Sequence, residues 1–124
     1  MKLIDSNILI YASYPEYAYL RPLVMDTAHC VSAISKVEVL GYHKLSEEEL
    51  RFFSSIFEIL TVILPDQRIY DHAVMLRQQQ RIKLGDSLIA ATALAYQLPL
   101  YTRNEADFVS IPGLTVRNPV HSHE

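Results

Sequence analysis

The chain has 124 residues, half of them hydrophobic and a fifth charged, which is the range of one globular domain able to bury a real core. A formal net charge of -3 argues against binding nucleic acid through bulk positive charge, so such a partner would have to be met by local basic patches. The lone Cys30 excludes an internal disulfide, and its neighbours Ala28, His29 and Val31 form no CxxC pattern, which suits a reducing cytoplasm.

The N-terminal apolar run is broken by Asp5, Ser6 and Asn7 and so lacks the unbroken apolar stretch of a signal peptide. No other stretch approaches the roughly 20 apolar residues of a membrane span. Three glycines and no Ser/Gly/Pro-rich segment leave no linker, and we expect a single domain over 1–124.

In chain order, Lys2 to Asp5 reads as a short buried strand that turns through Ser6-Asn7 into a helix over Ile8 to Ala12. Val31 to Ile34 reads as a second strand, followed by a helix from about Ser35 to Lys44. Ser46-Glu47-Glu48-Glu49 is a helix start of the capping-box type, and that helix runs to about Phe57. Ile59 to Leu64 is β-branched and apolar, and Gln67 to Gln80 has helical composition. Gly85-Asp86-Ser87 opens an Ala-rich helix to about Gln97. A strand over Pro99 to Thr102, a short helix over Asn104 to Val109 and a strand over Leu114 to Val116 complete the chain. This alternation predicts an α/β fold, a three-layer α/β/α sandwich with a parallel central sheet.

In open parallel sheets, sites form outside the carboxyl ends of the strands. Asp5 and Thr102-Arg103-Asn104 fall at such ends. Asp5 has an N-cap as its ordinary role. Glu38 falls at the margin of the stripe made by Ile34, Val37, Gly41 and Leu45, on the core side of its helix. Asp86 opens a helix that is apolar nearly all round, and capping is again its ordinary role. Asp107 follows Asn104 by three residues and Glu105 follows Thr102 by three, so either pair fits a capping box. Gathered at one edge, four carboxylates would repel unless a cation or a proton neutralised them. All-oxygen ligands suit Mg2+ or Mn2+, ions that activate water for attack on a phosphodiester. No GxSxG, HExxH or P-loop offers a different chemistry. His29, His43, His72, His121 and His123 have no zinc-type spacing and read as surface or packing residues.

Four segments in order resemble the motifs of the PIN-domain family, of the VapC-like kind. They are Leu3-Ile4-Asp5-Ser6-Asn7, Val31 to Leu40 with Glu38 as its acid, Ile82 to Ala93 around Asp86, and Leu98 to Phe108 with Asp107. The resemblance implies a PIN-like parallel sheet and an acidic pocket of Asp5, Glu38, Asp86 and Asp107 for Mg2+ or Mn2+. It implies endoribonuclease activity, a VapB-like antitoxin on a separate chain, and a homodimer. Asn104 stands where some relatives carry Asp. Ser6, Thr102 and Asn104 resemble the positions that support the acids through hydrogen bonds. Arg77, Arg81, Lys83 and Arg103 are near enough in sequence to the third and fourth acids to meet RNA phosphates. Tyr14, Tyr17 and Tyr19 suit a subunit interface or base stacking, and we favour the interface. The segment from Ser46 to Gln80 is the least motif-like and, in VapC-like members, helps to clamp the antitoxin. Two readings compete: a catalytically silent RNA- or protein-binding module, and a phosphohydrolase with Asp5 as nucleophile. The latter lacks a neighbouring acid to protonate the leaving group.

Overall fold

Leu3 and Ile4 are fully buried because they form the middle strand of the molecule, β1 (Leu3–Ile4). The computed structural model describes residues 1–121, which leaves His123 outside them. Around β1 lie β2 (Cys30–Ser32), β3 (Thr61–Ile63), β4 (Leu100–Tyr101) and β5 (Val116–Arg117), in the order β3-β2-β1-β4-β5. Every pairing is parallel, with Leu3 opposite Cys30 and Leu100, and Ile4 opposite Val31 and Tyr101.

Successive strand side chains point to opposite faces, so the strands feed two cores. Leu3, Cys30 and Leu100 pack with Ile69 and Leu76 of α5 (Gln67–Gln79) and Ile89 of α6 (Leu84–Tyr96). Ile4 and Val31 pack on the other face with Ile8 and Leu9 of α1 (Ser6–Ala12), Val24 of α2 (Arg21–Val24) and Phe53 of α4 (Glu47–Ile59). Helices therefore cover both faces, and the architecture is the α/β/α sandwich with a parallel sheet that the sequence predicts. The remaining helix, α3 (Ala33–Leu40), bridges the layers: Val39 enters the second core while Ile34 packs against the first.

Several boundaries differ from expectation. α3 starts on Ser32, whose hydroxyl accepts from the Ile34 amide, and stops at Gly41 instead of running to Lys44. Its buried residues are Ser35 and Val39, whereas Val37 is 72% exposed, so the expected apolar stripe through Val37 and Gly41 is not the core face. Glu38 lies one helical turn from Ser35 and beside Val39, and it is solvent-exposed. The helix expected over Asn104 to Val109 is a single 3-10 turn, Glu105–Asp107. The 3-10 turn Pro15–Leu20 and α2 are additions, with Pro15 and Pro22 at helix-starting positions where a missing N–H costs nothing.

Candidate active site

Asp5 is the first residue after β1 and the N-cap of α1, where one carboxylate oxygen accepts from the Ser6 amide at 2.7 Å. Its other oxygen, Oδ2, accepts from the Thr102 hydroxyl at 2.8 Å, which ties the end of β1 to the residue after β4. Asn7 completes the clasp. Its amide group donates to Thr102 Oγ1 at 3.2 Å and to Asp5 Oδ2 at 3.4 Å, while its Oδ1 accepts from the Arg103 backbone at 3.1 Å. The backbone N–H of Asn104 donates to Thr102 Oγ1 at 3.1 Å. Thr102 is fully buried and Asp5 is 5% exposed, so the bond between them is shielded from water.

Ser6 links the second acid to the first. Its hydroxyl lies 2.7 Å from Glu38 Oε1 and 2.8 Å from Ser35 Oγ, so α1 and α3 are joined through a buried hydroxyl pair ending on a carboxylate. The other Glu38 oxygen lies against the first turn of α6, where a Cβ at Gly85 would stand 2.8 Å from Oε2. Next along that turn is Asp86. Lys83 caps α6 without a side-chain bond, so the N-cap role weighed for Asp86 is not the one observed. The capping boxes weighed for Asp107 and Glu105 are not formed either: Asn104 caps the 3-10 turn with no side-chain bond. Asp107 is exposed there, beside Phe108, which is 1% exposed and anchors the loop.

The acids act on one another. Burial pushes the Asp5 carboxyl up from its ordinary 3.8 to about 6, against the hydrogen bonds from Thr102 and Ser6, and the charges of Asp86 and Glu38 add to the rise. Asp86 is raised as well, by burial first and then by Asp107, with Glu38 adding and Lys83 opposing. Neither of the two ion pairs among the described residues, His29–Asp26 and Arg68–Asp66, involves these acids. Among the described residues no three acidic, histidine or cysteine side chains stand close enough to hold one cation jointly.

Asp86 and Asp107 line one side of a cavity of about 300 Å³ whose other walls include Gln80, Arg81, Lys83 and Ser110. Two of the four predicted basic residues are thus beside the acids. Arg77 is exposed in the last turn of α5 and does not line this cavity. Arg103 lies outside this cavity, on the Asp5 side, with its backbone N–H on Asn7 and its guanidinium 5.9 Å from the centre of the Tyr11 ring. Asn104 reaches the site through its backbone N–H and not through its side chain. Tyr14 and Tyr17 form an aromatic cluster with Tyr11, and Tyr19 joins it through Tyr17. Sequence reasoning gave no role to Asn7, Ser35 or Gly85. Asn7 was legible in part, as a polar residue beside Asp5. Ser35 and Gly85 act across α1, α3 and α6 and leave no local signal.

A family model for the PIN domain matches residues 2–114. The chain belongs to the PIN-domain family. Within it, this PIN domain is similar to the Ribonuclease VapC of Rickettsia bellii, at 27% identity over 135 residues and 92% of each chain. Among solved structures it resembles a toxin-antitoxin complex from Klebsiella pneumoniae, with 31% identity, a TM-score of 0.79, and 98% and 100% of the two chains covered. VapBC2 from Rickettsia felis bound to a DNA fragment from their promoter shares the fold at 24% identity and a TM-score of 0.77, over 94% and 97% of the chains. No helix among the described residues is long and apolar enough to cross a membrane.

Proposed function

We propose that this PIN domain is an endoribonuclease that hydrolyses RNA phosphodiester bonds with a water activated by Mg2+ or Mn2+. We also propose that it is the cytoplasmic toxin of a VapBC-type pair, held in check by a VapB-like antitoxin on a separate chain. The observation that carries the reading is Asp5. It is buried at 5% exposure, raised to about 6, and coupled to Asp86 and Glu38, with no cationic side chain paired to it among the described residues. Such an arrangement costs stability unless a cation offsets the charge.

The donor set fits a hard divalent ion, since every candidate ligand is a carboxylate oxygen. Mg2+ keeps several waters and binds through one or two carboxylates together with substrate phosphate, so it does not require three carboxylates in contact. Asp5, Glu38, Asp86 and Asp107 are the candidate ligands, of which one or two would hold it directly, with waters and substrate phosphate completing its shell. When bound, the ion lowers the pKa of a water and stabilises the charge that develops on the leaving oxygen.

The chain's own residues supply the positioning. Thr102 and Asn7 hold the Asp5 carboxylate, Ser6 and Ser35 hold Glu38, and Arg81 and Lys83 offer charge to the RNA backbone. A homodimer accords with the toxin reading and with exposed apolar side chains on α5, namely Tyr70, Val74 and Met75. The test is incubation of total cellular RNA with purified, antitoxin-free protein in Mg2+, Mn2+ or EDTA. Discrete fragments in either metal and none in EDTA are expected. Intact RNA in all three, from folded protein, would leave a silent RNA- or protein-binding module.

A further inference from the structure

The cavity beside Asp86 and Asp107 has a wall that the acids do not supply. There the Ser110 hydroxyl donates to Gln80 Oε1 at 2.7 Å, joining the end of α5 to the loop after the 3-10 turn. Both partners are held from behind. Gln80 is the C-cap of α5, and its own N–H donates to the Leu76 carbonyl. Ser110 sits between Phe108 and Ile111, 1% and 3% exposed, which pack in the same core as Ile82.

An amide whose oxygen accepts from a serine keeps the two N–H donors of its NH2 group for other partners, and Gln80 lines the cavity. Arg81 and Lys83, which share the cavity, carry donors and no acceptor. This wall therefore favours a ligand edge that accepts hydrogen bonds, and its positive charge favours a polyanion.

We propose that Gln80, oriented by Ser110, is a specificity-determining residue of a nucleotide subsite beside Asp86 and Asp107. The subsite takes single-stranded RNA with a keto base there, guanine or uracil, in preference to an amino base, adenine or cytosine. It rests on the ribonuclease reading. Guanine O6 and uracil O4 accept from the Gln80 amide, whereas the amino groups of adenine and cytosine at the equivalent positions meet it donor to donor. Unpaired bases of single-stranded RNA expose these edges.

The experiment uses short single-stranded RNAs varied one nucleotide at a time around the cleaved bond, with adenosine and inosine as the pair that differs only in the position-6 group and the N1 proton that accompanies the keto form. Wild-type protein is expected to favour the keto base at one position by roughly tenfold in kcat/KM, the scale of one good base contact. Gln80→Ala and Ser110→Ala should bring that ratio close to one by raising KM for the keto substrate, with kcat little changed. Unchanged ratios in both variants would overturn the proposal. So would an equal fall of kcat on every RNA, since that is what a loop tether alone would give. If wild-type protein cleaves no RNA, the nuclease reading fails separately. Binding of the same oligonucleotides to Asp5→Asn protein then decides the subsite: a keto preference abolished by adding Gln80→Ala upholds it, and equal binding overturns it.

Discussion

Asp5 carries a structural and a chemical role on the same two oxygens. As an N-cap it stabilises α1, a contribution of about 1 kcal/mol, yet its burial raises its pKa to about 6. A folded-state pKa above the unfolded value means that the folded protein binds the proton more tightly. The resulting stability is present below about pH 4 and is lost as pH rises through 6. In EDTA, the melting temperature should therefore fall between pH 5 and pH 7.5 by a component that Asp5→Asn lacks. At pH 7.5 that variant should be more stable by about 1–2 kcal/mol, because Asn still caps the helix. Superimposable pH profiles would show that Asp5 carries no such strain.

Gly85 gives a second prediction at this scale. Alanine suits a helix better than glycine by about 1 kcal/mol, but its methyl would press on the Glu38 carboxylate, the far end of a flexible side chain that can move away. Gly85→Ala should keep or gain stability while RNA cleavage falls by about tenfold or more, as judged by melting and rate measured on one preparation. Full activity would mean that the position of Glu38 does not matter.

Elements with chemical end signals were legible in the sequence. Ser46 and Glu49 form the capping box that their spacing predicts, with bonds of 3.0 and 3.1 Å, and α4 starts where expected. Ser46→Ala should cost about 1 kcal/mol in denaturant unfolding, and a loss under about 0.3 kcal/mol would show that the box adds nothing there. α6 ends less expectedly, on Gln97 in the left-handed region at φ 55°, with the Leu98 amide bonded to the Ala93 carbonyl. Glycine is the usual residue there, and Gln97→Gly should raise stability by about 0.5–1 kcal/mol. A loss of stability would mean that the Gln97 side chain outweighs its backbone strain. The face of α3 was not legible, because its buried side runs through Ser35 and Val39 and the polar Ser35 gives no apolar signal. Neither was Pro15–Leu20, where tyrosines and proline follow neither strand nor helix period. At the site, Asp5 and Asp86 were legible as carboxylates at a strand end and a helix start, whereas Glu38 was reached through an apolar stripe that is not the buried face of α3. The clasp of Asn7 and Thr102 on Asp5 was only partly legible, since it joins residues 97 positions apart, and the Ser35 contact joins α3 to Ser6 across 29 positions.

At the scale of the whole molecule, the proposed ribonuclease, with a net charge of -3, would have to bind a polyanion at a site lined by acids. RNA binding should therefore depend on a divalent ion more than on Arg81 and Lys83, since like charges repel where no cation intervenes. The most direct measurement reads that dependence without knowledge of the RNA target: calorimetric titration of metal-free protein with Mn2+, comparing wild type with Asp86→Asn. We expect saturable binding to the wild type and a loss of at least tenfold in affinity in the folded variant. Equal affinities, or no binding by folded wild-type protein, would contradict a metal site that uses Asp86.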